Sequence, residues 1–438
     1  LSPLRFPALA EERLANGAAL VVARRPGVPL TAVRLLVAAG SAHDPASRHG
    51  LAHLVAVAAR RGTRRRSRRA LEEAAENLGA ELGSACDDDS STFGLSAPAE
   101  YLPRLLDLVV EAATEPAFPG PEVERLRRRV LAGMAHLLDE PAAVADRALL
   151  GAVHGDHPYG HPVDGRVAHI RRTRRADLAA FHRLHYAPAA TTLVVVGPVD
   201  PEGALALGRR RLSRWRPAAA PPPELPAPRP PARAVLVVDK PDLTQTQIRI
   251  GCAAFPRRSP LHFASLVANA AFGGGFTSRL VEAVRVNRGL SYGVRSRFSA
   301  SRAGGLFAIS SFTKNETAGE LVEVALAEAE RFAAEGPAPD ELARAQAWLC
   351  GLFPLSLETH DQVAERIADL RLHGLEVSEV TGYLERIRAV DASACREVAQ
   401  ASFPVGRGVV VAVGPARTVA RRLERHGPLT VIAARRTV

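Results

Sequence analysis

The stretch HGLAHLVAVAARRGT, residues 49–63, has helical periodicity and carries a histidine where a metal-binding helix begins its signature. Two histidines at i and i+4 lie on one helical face and can grip zinc, and a glutamate just before the second can polarise the metal-bound water. His53 fills the first position, but Ala56 stands where the glutamate belongs and Val57 where the second histidine belongs. A lone imidazole does not hold zinc, and methyl groups cannot activate water. His43 and His49 are close in sequence, yet His49 precedes Gly50 at the expected helix start, where side chains point away from the later turn. The segment keeps the outline of a hydrolytic zinc helix without its chemistry.

Other segments hold residues of chemical interest. HGDHPYGHP, residues 154–162, gathers His154, His157 and His161, but its prolines and Gly160 read as loop architecture. GSACDDDSSTFGLS, residues 83–96, places Asp87, Asp88 and Asp89 beside an expected strand, where they either favour basic peptides or solvate a turn. RGLSY, Arg288 to Tyr292, offers a guanidinium and a phenol four residues apart, which share a face if helical or bracket a turn. AFGGGFTSRL, residues 271–280, contains Gly273, Gly274 and Gly275, which permit close backbone approach but lack the G-x-G-x-x-G spacing of a dinucleotide site. Cys86, Cys252, Cys350 and Cys395 are widely spaced, so they predict buried thiols rather than a disulfide frame or a zinc knuckle.

The elements that must position these groups fall into two similar halves. A chain of 438 residues exceeds one hydrophobic core, and no apolar run reaches the roughly 20 residues that cross a bilayer, so a soluble multidomain protein is expected. The opening LSPLRFPALAEERLANG lacks an apolar run with a cleavage site, and the compartment stays undetermined between bacterial cytoplasm and periplasm. The net charge of +11 comes almost wholly from arginine. Its densest run, RRGTRRRSRR at 60–69, has no interleaved aromatics for stacking bases, so no nucleic-acid partner is expected. Prolines at 217–233 predict an extended linker. On either side of it, TTLVVVGPVD matches GVVVAVGPAR, and LTAVRLLVAAG matches QTQIRIGCAAF with Arg34 against Arg249. The two offsets nearly agree, which implies tandem copies of one α+β unit, 1–216 and 234–438, with helices packed on one face of a mainly antiparallel sheet.

Taken together, RLANGAALVVARRPGVPLTAVRLLVAAGSAHDP, HGLAHL…RRGT, DHPYGHPVDG, DLAAFHRLHYAPAATTLVVVGPVD, FGGGFTSRLVEAVRVNRGLSYGV and GLFAISSFT occur in the order found in the pitrilysin/insulinase metallopeptidases. The chain resembles that family, in particular its two-subunit branch typified by mitochondrial processing peptidase. The resemblance implies two tandem domains forming half of a clamshell, with H-x-x-E-H on the first helix of active members and a carboxylate ligand on a later one. In that later segment, RRRVLAGMAHLLDEP, the paired-glutamate positions hold Ala132 and Gly133. Glu122 and Glu124 lie two to three turns away, about 15 Å at a rise of 1.5 Å per residue. The resemblance therefore implies a noncatalytic member that binds no zinc itself. Its expected partner is a homologous catalytic subunit with an intact H-x-x-E-H and the zinc, acting on an extended peptide. Arg288 and Tyr292 match the family's substrate-holding pair. Gly273, Gly274 and Gly275 match either an ordinary family turn or a shortened substrate-capturing loop. A structural core protein and a peptide-binding chaperone are the alternatives without proteolysis.

Overall fold

The computed structural model describes residues 6–216 and 225–437. Within the proline-rich linker, residues 217–224 lie outside the described residues, and 225–232 run without regular structure into the next strand.

Two six-stranded sheets carry the fold. The first holds β1 (Leu9–Arg13), β2 (Ala19–Arg24), β3 (Leu30–Val37), β4 (Gly83–Cys86), β5 (Ser91–Pro98) and β6 (Thr191–Gly197), in the spatial order β1, β2, β6, β3, β5, β4. The second holds β7 (Ala234–Asp239), β8 (Gln245–Ala254), β9 (Val294–Ala300), β10 (Gly305–Lys314), β11 (Val409–Gly414) and β12 (Leu429–Ala433), in the order β12, β7, β11, β8, β10, β9. From the second position inward the two orders are the same pattern. In each, one parallel pair (β2 with β6, β7 with β11) is followed by antiparallel neighbours. The duplication read from the sequence is thus a duplication of strand order. Arg34 sits opposite Val194 on β6, and Arg249 sits opposite Val411 on β11, so the matched arginines occupy matched lattice points. The copies differ at the outer strand: β1 joins β2 antiparallel, whereas β12 joins β7 parallel.

Helices cover both faces of the sheets, not one face as the strand and helix order suggests. Every residue of β6 and of β11 is buried, and a valine run buried on alternate sides needs apolar cover on both. In the second sheet, Ile248 and Ile250 join a core containing Phe272, Phe307, Phe332 and Phe403, in which the Phe307 and Phe403 rings stack at 4.2 Å. On the opposite face Val409, Val411 and Val413 pack against Val144, Ala145, Ala148 and Leu149. A Cβ at position 251 would meet both Leu149 methyls at about 3 Å, so Gly251 lets the helix Pro141–His154 lie directly on β8.

That helix comes from the first half of the chain. The second half returns the equivalent: the helix His360–His373 buries Val363, Ala364, Ile367, Ala368 and Leu370 and packs on β3 and β6. The compact units therefore do not follow the sequence halves. Gly133–His161 belongs with the second sheet, and Phe353–Thr381 with the first. Each exchanged helix brings an aspartate to the duplicated arginine. Arg34 Nη2 donates to both carboxylate oxygens of Asp361 at 2.9 and 3.0 Å, and Arg249 Nε donates to Asp146. The two arginines are 215 residues apart, and so are the two aspartates.

Arg249 is 4% exposed and also donates to the carbonyls of Ile248 and Ala142. Asp146→Ala is expected to lower the unfolding free energy by about 1–2 kcal/mol: the Asp146 side chain is 62% exposed, which weakens its bond, but the guanidinium left behind is buried. Asp361→Ala should cost less than about 1 kcal/mol: both aspartates are more than half exposed, so the ranking follows the arginines, and the Arg34 side chain at 18% exposure keeps more water than that of Arg249 at 5%. Urea unfolding of the two variants side by side tests this ranking.

Candidate functional site

The helix Leu51–Ala59 begins at Gly50, whose φ of +95° and lack of a side chain are both required. A Cβ there would fall 2.6 Å from the Asp164 carbonyl oxygen and from Ile170 Cδ1. The Asp44 carboxylate accepts from the backbone N–H of Gly50 at 2.6 Å and of Ala52 at 2.7 Å, satisfying donors that a helix start leaves open. One face of the helix packs on β4 and β5. His53 and Val57, four residues apart, share a half-buried face, as the i, i+4 geometry requires. Ala56, at the general-base position, is 0% exposed. Burial lowers the pKa of His53, partly offset by the carboxylate of Asp164, so its imidazole is held neutral.

At the later positions, Ala132 and Gly133 lie exposed near the end of the helix Gly120–Leu137, and nothing lies within 4 Å of a Cβ built at Gly133. Glu122 is paired with Arg61, Arg68 and Arg125, and Glu124 with Arg127. These carboxylates are committed to guanidinium partners. Among the described residues no three His, Cys, Asp or Glu side chains form a metal-ligand set. The zinc that active relatives need does not fit this donor set: one neutral imidazole faces a valine methyl, and the position for the base is sealed.

The histidine-rich loop is structural. His157 Nδ1 accepts from the Tyr159 N–H at 3.0 Å, so its Nε2 carries the proton and donates to the Pro226 carbonyl at 2.8 Å. His154 is buried, and desolvation together with neighbouring His157 lowers it to about 4. The Tyr159 hydroxyl accepts from Ala303 N–H at 3.1 Å. The loop ties the exchanged helix to its adopted sheet.

Among the described residues β4 is an edge strand, paired only with β5. Beyond it the three aspartates build the turn. Asp87 Oδ1 accepts from the N–H groups of Asp89 and Ser90 at 2.8 and 2.6 Å, Asp88 accepts from the Ser41 hydroxyl, and Asp89 is buried. Of the two readings of this acidic run, the geometry gives the turn.

In the second unit, Arg288 and Tyr292 bracket a turn at Gly289, whose φ is +59°. The turn backbone is anchored by Leu290 N–H to the Val284 carbonyl at 3.0 Å and by the Thr313 hydroxyl to the Leu290 carbonyl at 2.6 Å. Tyr292 is 79% exposed and Arg288 is half exposed, with one contact of 3.3 Å to Glu320. The Arg285 guanidinium lies 4.7 Å from the Tyr292 ring centre and 5.0 Å from that of Phe276, itself 77% exposed. Phe276 directly follows the glycine run. Gly273 is buried where a Cβ would strike Ser296 and Leu280, and one at Gly274 would strike Asn269. Ala270–Gly274 forms a widened helical turn, with Phe272 buried in the aromatic core, and Gly275 ends it. Tight packing explains the glycines at 273 and 274. The surface around the turn offers two aromatic faces and two guanidinium groups. The roles of Arg285 and Phe276 have no signature in the sequence, because Arg285 reaches rings nine residues before it and seven after it, across short helical turns and loop, and such contacts set no period.

The fold and the pattern of missing ligands define a metallopeptidase-like chain without its metal centre. Residues 20–165 match the Insulinase (Peptidase family M16) profile, and residues 173–349 match the Peptidase M16 inactive domain profile. The chain belongs to the insulinase, or M16, peptidase family and lacks that family's zinc motif. It is 28% identical over 409 residues to an uncharacterized zinc protease of Mycobacterium bovis, covering 91% of this chain and 93% of that one. An uncharacterized zinc protease of Streptomyces coelicolor is 26% identical, covering 88% and 85%. The crystal structure of a peptidase M16 inactive domain from Pseudomonas fluorescens superposes with a TM-score of 0.87 at 25% identity, covering 93% of this chain and 98% of that one. A protease from Helicobacter pylori shares the fold at a TM-score of 0.87 and 19% identity, covering 94% and 100%.

The enclosure of position 56 predicts that the motif cannot be restored by substitution alone. Ala56→Glu is expected to cost about 3 kcal/mol or more, because an unpaired carboxylate would enter a filled space. Val57→His, on the half-buried face, should cost about 1 kcal/mol. Thermal unfolding, with zinc binding followed by equilibrium dialysis, checks both, and neither the double nor the single variants should bind zinc stoichiometrically.

Proposed function

We propose that this chain is the noncatalytic subunit of a heterodimeric zinc metalloendopeptidase. In this reading a homologous sister chain with an intact H-x-x-E-H supplies the zinc and the general base, and the mixed dimer cleaves extended peptides. The observation that carries the reading is a contrast within one chain. The zinc helix is closed at its catalytic position, while the Arg288–Tyr292 turn of the other unit stays open, rigidly anchored and solvent-facing. A tyrosine 79% exposed has left water only on the side where Arg285 packs, so burial energy does not account for its position. A phenol and a guanidinium held on a fixed turn can donate to a peptide carbonyl and to the charge that develops there during hydrolysis. The edge strand β4 is a second place where an extended peptide could add backbone bonds.

The test is reconstitution. Peptide cleavage should require both chains, and zinc should be found in the sister and not in this chain. In the mixture, Arg288→Ala and Tyr292→Phe are each expected to lower kcat/KM by about 100- to 1000-fold, the range for loss of one oxyanion donor. Full activity of the sister alone would overturn the proposal. Peptide binding by the isolated chain with no gain in cleavage would instead point to a chaperone.

A further inference from the structure

The first unit contains a cavity that the zinc helix and the edge strand do not touch. It has a volume of about 630 Å³ and lies between Thr114, residues 116–118, the helix Arg175–His185, Arg64 and Trp215. Its charge is unusual. Arg64, Arg175, Arg183 and Arg216 border it, and no Asp or Glu does. Many neighbouring arginines are neutralised: Arg65 by Glu115, Arg66 by Glu111, Arg68 by Glu72 and Arg127 by Glu124. Among the described residues none of the four at the cavity forms an ion pair. Like charges gathered around one concave space raise the local concentration of anions, and guanidinium groups match the oxygens of carboxylate and phosphate.

Part of the lining is apolar and strained. Phe118 has a φ of +48°, the one non-glycine residue with positive φ among those described, and it is almost wholly buried. Arg175 holds the strained turn by donating to the Phe118 carbonyl at 2.8 Å and the Ala117 carbonyl at 3.2 Å. His182 packs edge-on to Phe118 at 5.8 Å and bonds the Ala113 carbonyl through Nε2 at 2.8 Å. Burial lowers His182 to about 4, so at neutral pH the charge of the cavity belongs to its arginines. Trp215, whose carbonyl accepts from Asn16 at 3.0 Å, supplies a flat aromatic surface. Backbone strain that the surroundings must maintain concentrates at sites that bind or switch.

We propose that this cavity is a binding site for a small organic anion, a carboxylate or phosphate group carried on a flat apolar body. The guanidinium groups of Arg64, Arg175 and Arg183 would take the charged end, and Trp215 with the Phe118 turn the apolar body. The site is separate from the Arg288–Tyr292 surface and does not rest on the peptidase reading.

The chain has two tryptophans, Trp215 and Trp348, so Trp348→Phe leaves Trp215 as the sole indole reporter. That variant is titrated at constant ionic strength with phenyl phosphate, with 3-phenylpropionate, and with the neutral 3-phenylpropionamide. A saturable change in Trp215 emission is expected for at least one anion, with half-saturation below about 1 mM, and the amide should bind at least about tenfold more weakly. The tighter of the two anions distinguishes phosphate from carboxylate as the source. Arg183→Gln and Arg64→Gln, both at exposed positions, should each weaken binding about tenfold without shifting Tm. The proposal is overturned if neither anion gives a saturable change, if the amide or potassium chloride gives an equal one, or if both arginine variants keep full affinity.

Discussion

Each sheet of this protein is completed by a helix encoded in the other half of the chain, and an arginine–aspartate pair marks each join. The constraint behind this arrangement is apolar. β6 and β11 are valine-rich, parallel to one neighbour and buried along their whole length, so a one-sided helical layer would leave half of each strand in water. Val144, Ala148 and Leu149 close one such face, and Val363, Ile367 and Leu370 belong to the helix that closes the other. Hydrophobic burial supplies the driving force. The ion pairs add registry, because a guanidinium in the middle of a strand accepts the helix only where its carboxylate arrives.

The two units have diverged in what they present to solvent. In the first, the first-ligand, general-base and second-ligand positions of the zinc motif hold a neutral histidine, an enclosed alanine and a valine, and the helix is a packing element between strands and neighbouring helices. In the second, the aromatic core around Phe272 continues through a glycine-tight turn to Phe276, and Arg285 links that ring to Tyr292. Order in the interior is thereby carried to a surface whose aromatic faces remain open. The same duplication has kept a scaffold in one place and a displayed surface in the other.

Much of this was legible in the sequence. The repeated β-branched runs and the matched Arg34 and Arg249 revealed the duplication, and residue identities at 53, 56 and 57 showed that the zinc motif is incomplete. The turn role of Asp87, Asp88 and Asp89 was one of two open readings, and only the hydrogen bonds separate them. The exchange of helices was not legible, because an amphipathic helix shows how much surface it must bury and not which sheet will receive it. Asp146 and Asp361 look like ordinary solvent-facing carboxylates until their partners are known. The arginine-lined cavity was hidden for a related reason: Arg64, Arg175 and Arg183 come from separate segments, in a chain where arginine is common everywhere.

The exchange also sets an order on biosynthesis. Ribosomes deliver a chain from its N-terminus, and domains ordinarily fold as they emerge. Here β1 to β6 are all made by residue 197, but the helix that seals their second face ends at His373. For the interval in which some 170 further residues are translated, the nascent first sheet must wait with a valine-rich side uncovered. A finished N-terminal half therefore cannot precede the remainder, because the helix that covers its first sheet is among the later residues to be made.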